Sequence, residues 1–327
     1  MKGIRVVLGT MTFSGQTSQP DAVTMLKTFV DAGHGEIDTA RMYESGKTEE
    51  MIGAIFEAEP ALRSSLKTAT KANAFKGYDE SLGAGSVRRQ MAATRAALKG
   101  APIDVYYLHN PDGETPILET LAACDALHKA GAFEVLGLSN FAAWEVAHIW
   151  HLCDAHGFVK PEVYQGMYNG LTRDVERELL PCLRALGMRF YAYNPLCGGL
   201  LACKHTRAAL ATLDDGSRFR QSNAMYRERY LQDVQLEAVD AFKAACDATA
   251  TPPVHAALRW MLHHSKLAPG DGVIIGASKV AHLDDNLAGL RGGPLHADVV
   301  ASLDGGWAAV KKSGLCPSYE RGTSKYE

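Results

Sequence analysis

Short apolar runs of strand length alternate with stretches of helical period along this chain, and the alternation occurs eight times without a break. Val6–Gly9, Glu36–Ile37, Leu66–Ala69, Ile103–Leu108, Phe133–Leu138, Glu162–Tyr164, Met188–Ala192 and Val273–Ile275 read as strands. Helical patterns follow at Ala22–Ala32, Glu49–Phe56, Val87–Leu98, Ile117–Ala130, Trp144–Cys153, Val175–Ala185 and Leu283–Leu290. Gly33, Gly131 and Gly187 stand where helices should stop, and Ser86 is placed to cap one start. Strands that alternate with helices pair in parallel through right-handed crossovers. Eight such units favour a closed (β/α)8 barrel, with an open doubly wound sheet as the alternative. The chain, residues 1–327, is then expected to be one barrel domain.

One stretch departs from the rhythm. About 80 residues separate the seventh and eighth strands, and long connections in compact domains are usually functional or disordered. This one opens with a Gly-containing loop from Leu196 to Gln232 that carries Lys204, Arg218, Arg227 and Arg229, which favours a binding role. Two more helical patterns follow at Leu236–Ala248 and Val254–His264. The polar tail from Cys316, with Pro317 and Gly322, is expected to be extended with a loose end.

Composition narrows the function classes. The net charge is −3 with no basic clustering, so a nucleic-acid surface is not expected. No apolar run reaches the roughly 18–20 residues of a membrane span, and the short N-terminal apolar run is soon interrupted, unlike a signal peptide. The seven cysteines are odd in number and contain no C-x-x-C pair, which argues for a reducing compartment. A soluble cytoplasmic protein is the expectation.

In such a barrel the chemistry sits at the C-terminal ends of the strands. The polar residues there are Asp38, Lys71 and His109 after the second, third and fourth strands, with Met11 after the first. Ser139 and Asn140 follow the fifth, Gln165 the sixth, Asn194 the seventh and Ser278 the eighth. Any one of these is what a turn looks like. An acid, a lysine and a histidine on three consecutive strands suggest a joint task. Tyr43 lies five residues past Asp38, in a loop able to return over the barrel mouth. A tyrosine hydroxyl, with a pKa of about 10, is a weak acid at neutral pH, and a lysine cation beside it favours the phenolate. A histidine can donate to a carbonyl oxygen. The set suits protonation of a carbonyl oxygen as hydride arrives at carbon. No G-x-S-x-G is present for nucleophilic hydrolysis. No metal-ligand spacing stands out: His148 and His151 fall on a helix away from the mouth, and His263 and His264 are adjacent.

At these residues the sequence resembles the aldo-keto reductases. The segments that carry the resemblance are LGTMTF (8–13), IDTARMY (37–43), TATK (68–71), YYLHNPD (106–112), GLSNF (137–141), VYQGMYN (163–169), FYAYNPLCGGLL (190–201) and VIIGASKVAHLDDN (273–286). LHNPD and VYQGMYN look closest to the branch that reduces aflatoxin aldehydes and succinic semialdehyde. The resemblance implies a TIM barrel that reduces aldehydes, with ketones and dicarbonyls as further candidates, using NADPH. It implies a catalytic set of Tyr43, Asp38, Lys71 and His109. In that set Tyr43 is the general acid, Lys71 lowers its pKa, Asp38 pairs with Lys71, and His109 binds the substrate carbonyl.

The resemblance also implies a cofactor site. Ser139, Asn140 and Gln165 would hold the carboxamide, with Tyr193 stacked on the nicotinamide ring. The loop from Asn194 through Leu196 and Gly198 to Lys204, with Arg218, would wrap the pyrophosphate. Ser278, Lys279, His282 and Asn286 would meet the adenosine end. Many relatives carry arginine where this chain has His282, a departure that Lys279 and Arg218 could offset. Met11, His109, Tyr226, Arg229 and Arg321 would line the substrate site, and the two arginines suggest an aldehyde that bears a carboxylate, such as succinic semialdehyde. A small carbonyl compound is the expected partner. The oligomeric state stays open, a homodimer being the assembly weighed.

Overall fold

The computed structural model describes residues 3–75, 77–204, 213, 219–220 and 223–326. Eight parallel strands close into a barrel in sequence order. They are β1 (Arg5–Gly9), β2 (Glu36–Asp38), β3 (Lys67–Ala72), β4 (Val105–Leu108), β5 (Val135–Ser139), β6 (Pro161–Met167), β7 (Arg189–Tyr193) and β8 (Gly272–Gly276). The ring closes where β8 pairs with β1, from Arg5 opposite Gly272 to Gly9 opposite Gly276. The expected TIM-barrel architecture is therefore what forms.

Side chains alternate across a strand, so every second residue points into the barrel. Val7, Tyr107, Val163, Tyr191 and Ile274 pack together there, separate from the main core between strands and helices. The two tyrosine rings are large for a barrel interior, and glycine makes their room. A Cβ on Gly137 would lie 2.3 Å from Tyr107, and one on Gly272 would lie 3.0 Å from Tyr191. The Tyr191 hydroxyl donates to Glu36, which also pairs with Arg5. The interior is thus filled below. Two residues further along, the same inward face presents Asp38, Lys71, His109, Ser139, Gln165 and Tyr193.

The helices follow the predicted alternation with some differences, one being that the expected helix Val175–Ala185 forms as a 3-10 turn at Asp174–Glu176 and a shorter helix at Leu179–Ala185. The helix after β3 runs Ala84–Ala97 and is preceded by Gly83 at the cap position. Ser86 is not its cap: it is buried in the first turn, where its Oγ accepts from the Ser81 N–H and from Gln90. A short helix, Pro60–Ser65, precedes β3. A helix at Ala297–Ser313, absent from the sequence reading, packs on the helix Asp233–Ala248. In the long connection after β7, a 3-10 turn at Cys197–Ala202 is followed by helices Ala224–Tyr230, Asp233–Ala248 and Pro253–His263. Among the described residues no helix is long and apolar enough to cross a membrane.

The tail is not loose. The Arg321 N–H donates to the Asn140 carbonyl at 2.8 Å, the Lys325 N–H donates to Asp112 O at 3.2 Å, and the Ile117 N–H donates to Lys325 O at 2.8 Å.

Candidate active site

A cavity of about 590 Å³ opens at the C-terminal ends of the strands. Its deep end is built around one ion pair. Lys71 is fully buried, and its ammonium donates to both Asp38 oxygens, at 2.8 and 2.7 Å, and to the Thr39 carbonyl at 2.7 Å. Three donors therefore meet three acceptors, which is what a buried ammonium needs. Gln165 donates to Asp38 Oδ1 at 2.7 Å and ties β6 to the pair. Burial pushes the lysine below its ordinary value, and Asp38 opposes the shift. Asp38, Lys71 and Gln165 lie on their strands rather than just past them.

Tyr43 stands above this pair, with the Lys71 ammonium 5.2 Å from its ring centroid. Its loop is unusual. Glu44, Ser45 and Gly46, directly after it, all have positive φ, at 47°, 56° and 93°. Non-glycine residues rarely take this conformation, and such strain needs surrounding support. The support is visible. The Arg41 N–H bonds to the Lys71 carbonyl. The Arg41 side chain lies 3.6 Å from the fully buried Glu49, which accepts from Thr70 and Thr94. Gly46 leaves no room for a Cβ against the Arg41 guanidinium.

The His109 ring meets Tyr43 edge-on at 6.2 Å and Phe75 at 5.0 Å. Burial, reinforced by Lys71 and Arg321, holds its pKa well below the usual histidine value, so the ring is neutral at pH 7. Its Nδ1 is buried without a protein partner. A bare lone pair is less costly there than a stranded N–H, so the proton belongs on Nε2, the nitrogen left to face the cavity.

The next wall comes from β5 to β7. Asn140 and Asn194 leave their strands with φ of 65° and 57°, a conformation asparagine tolerates better than most residues. The Asn140 amide donates to the His109 carbonyl at 2.8 Å and to Ser139 Oγ at 3.0 Å, and its oxygen accepts from the Tyr193 hydroxyl at 2.9 Å. The Tyr193 ring is thereby fixed as a cavity wall. Asn194 bonds Tyr230 and Tyr226 at 3.3 and 3.4 Å. Leu196, Gly198 and Lys204 line the next part of the cavity. At the far end Ser278, His282 and Asn286 line it beside the start of helix Val280–Leu290, whose first turn has no side-chain cap. Burial first, then Lys204 and Lys279, lower the His282 pKa. Asn286 donates to the Gly276 carbonyl at 3.1 Å.

Met11, Tyr226, Arg229 and Arg321 line the outer cavity. Arg229 lies over the rings of Tyr226 and Tyr230, and Arg321 lies 5.5 Å from the Phe75 centroid. Among the described residues no carboxylate pairs with either arginine.

Not every expected residue converges. Lys279 is exposed and lies outside the cavity lining, because it holds the extended cap position that precedes the helix. Arg227 donates to the Phe219 carbonyl instead. Arg218 lies outside the described residues. The sequence reading missed Phe75, Met42 and Gln16, all of which line the cavity. Phe75 follows Lys71 by four residues in a loop without periodicity, so only its apolar character could have drawn notice.

Comparison with known proteins agrees with this architecture. The Aldo/keto reductase family model matches residues 5–308. This chain belongs to the aldo/keto reductase family. It is 43% identical to human aflatoxin B1 aldehyde reductase member 2 over 323 residues, 96% of this chain and 89% of that protein. It is 42% identical to human aldo-keto reductase family 7 member A3 over 323 residues, 96% of each. An aldo-keto reductase from the fungus Pseudocercospora fijiensis is 39% identical over 291 residues, 88% of this chain and 97% of its own. The family consists of oxidoreductases that act on small carbonyl compounds with a nicotinamide cofactor.

Within the aldo/keto reductase frame the cavity suits such a cofactor. Uncapped helix amides and the left-handed Gly198 offer backbone to an anion. Ser139, Asn140 and Gln165 line the same cavity as Tyr43 and offer amide-matching groups.

Proposed function

We propose that this chain reduces aldehydes to alcohols with NADPH, and that Tyr43 gives the proton. The convergence of Tyr43 on the buried Lys71–Asp38 pair and the neutral His109 carries this reading. When bound, the reduced nicotinamide supplies the hydride. Ser139, Asn140 and Gln165 would hold its amide, and Tyr193 its ring. Leu196, Gly198 and Lys204 would meet the pyrophosphate, and Ser278, His282 and Asn286 the adenosine end. The backbone amides at the start of helix Val280–Leu290 add an anion site.

The substrate carbonyl oxygen lies between Tyr43 and His109 in this reading. His109 donates from Nε2 and fixes the oxygen. The Tyr43 hydroxyl transfers its proton to that oxygen as the carbon is reduced. Tyr43 is left as phenolate, and the nearby Lys71 cation favours that form. Asp38 and Thr39 hold the cation in place. Phe75 and Tyr193 keep water from the reacting carbon.

Arg229 and Arg321 point the reading toward aldehydes with a carboxylate, succinic semialdehyde among them. Both line the cavity, and an arginine that pairs with no carboxylate among the described residues is suited to bidentate carboxylate binding. His282, at the adenosine end, favours NADPH over NADH, since the extra phosphate of NADPH would stabilise the imidazolium beside it.

The decisive experiment is Tyr43→Phe. The variant should quench its fluorescence with NADPH as the wild type does and lose aldehyde reduction. Retention of most of the rate would overturn the role given to Tyr43.

A further inference from the structure

We propose that Glu145 is a positioning residue that holds Arg321 in the cavity by fastening the C-terminal segment to the barrel mouth. The inference rests on Arg321 as a carboxylate-binding group.

Glu145 is fully buried in the first turn of the helix Ala143–His156. A buried carboxylate needs donors. Among the described residues it has three, and two of them come from residues 324 and 326. Its Oε1 accepts from the Ser324 N–H and from the Tyr326 hydroxyl, both at 2.8 Å, across 179 and 181 residues. Its Oε2 accepts from the Ala142 N–H at 3.1 Å. No cation pairs with it among the described residues, so removal of the tail would strip a buried charge of most of its partners. The carboxylate and the tail therefore hold each other.

The fastening lies close to the cavity. Only Gly322 and Thr323 separate Ser324 from Arg321. The Arg321 N–H is bonded to the carbonyl of Asn140, the residue that also bonds the His109 carbonyl and the Tyr193 hydroxyl. The segment is thus clamped on both sides of a two-residue span, and the Arg321 guanidinium is left over Phe75 at the cavity wall. The Tyr326 ring adds contacts with Trp144 and His148 on the Glu145 helix.

The test compares wild type, Glu145→Gln, Tyr326→Phe and Arg321→Ala on succinic semialdehyde and on butanal at saturating NADPH. Amide hydrogen exchange of residues 318–326 is measured alongside. Glutamine keeps the shape of Glu145 but removes the charge that strengthens its bonds to the tail, and sets an NH2 against either the Ala142 N–H or the two tail donors. Glu145→Gln should raise KM for succinic semialdehyde by about 5–10-fold, with kcat and the butanal KM within about twofold, as loss of uniform binding to the carboxylate requires. Exchange of the Ser324 and Arg321 amides should accelerate. Tyr326→Phe, which keeps the Ala142 contact and so guards against a folding defect, should shift both readouts the same way by less. Glu145→Gln combined with Arg321→Ala should be no worse on succinic semialdehyde than Arg321→Ala alone. Equal losses on both aldehydes with unchanged tail exchange would overturn the proposal, as would full additivity with Arg321→Ala. If Arg321→Ala itself shows no preference for the carboxylated substrate, the substrate reading fails, and the exchange of residues 318–326 in Glu145→Gln still decides whether Glu145 fastens the tail.

Discussion

Lys71 and Asp38 form a closed pair: the ammonium reaches both carboxylate oxygens within 2.8 Å, and neither side chain is more than 5% exposed. Stability and activity should therefore separate. Removal of one partner leaves a buried charge, a loss of about 3–5 kcal/mol by precedent for such pairs. Asp38→Asn should lower the urea midpoint accordingly and cut kcat. The double variant Asp38→Asn, Lys71→Met removes both charges. It should recover much of the stability and none of the activity. A double variant less stable than either single would show that the pair contributes more than its charges.

Much of this site was legible because inward strand residues repeat every second position. Asp38, Lys71, His109, Ser139 and Gln165 stand at the ends of apolar runs, and a parallel barrel brings such ends together. Features that depend on distant packing were not legible. The helix Ala297–Ser313 contains Gly305–Gly306, which reads as a break. Gly306 is there because a Cβ would meet Ala238 at 2.8 Å and Leu171 at 2.9 Å, so the helix needs the glycine to pack. Glu145 reads as an ordinary first-turn acid, since its partners lie about 180 residues away. Ser86 looked like a cap because serine often is one, but its hydroxyl serves the Ser81 N–H inside the fold.

His109 should make stability sensitive to acid. Its pKa lies well below 6.5 in the folded protein because burial disfavours the cation. The unfolded chain takes up a proton that the folded chain refuses. The folded state is therefore free of this penalty above about pH 6.5 and loses stability as pH falls below it, by up to about 1.4 kcal/mol per pH unit. Urea midpoints at pH 8, 6.5 and 5 should fall more steeply for the wild type than for His109→Gln. Parallel slopes would show that His109 is not held neutral. The same neutrality predicts no inflection in kcat from His109 between pH 6.5 and 8.

Gly137 supports the site from below. A Cβ there would overlap the Tyr107 ring, and the Lys71 ammonium lies 5.8 Å from the centroid of that ring. Overpacking of this kind costs about 1–3 kcal/mol. Gly137→Ala should lower Tm and also reduce kcat, because a displaced Tyr107 presses on Lys71. Addition of Tyr107→Leu should restore part of the Tm. An alanine variant with unchanged Tm would mean that the ring moves freely and that the barrel floor does not set the position of Lys71.

The position of His282 bears on the choice of nucleotide. The ring is partly buried at the far end of the cavity, within 3.4 Å of Ser278 Oγ, and Lys204 and Lys279 both disfavour its charge. It is therefore neutral at pH 7.5 unless an anion binds beside it. An arginine there would be charged at every pH and could grip a phosphate with two N–H groups. His282→Arg should tighten NADPH by about tenfold, roughly the 1.4 kcal/mol that a tenfold change in affinity represents, and should leave NADH within about twofold. Fluorescence titration at pH 6 and pH 8 measures both nucleotides. The wild type should bind NADPH more tightly at pH 6, where phosphate and imidazolium support each other, and the arginine variant should lose most of that pH dependence. If NADH gains as much as NADPH, His282 does not face the phosphate that distinguishes the two.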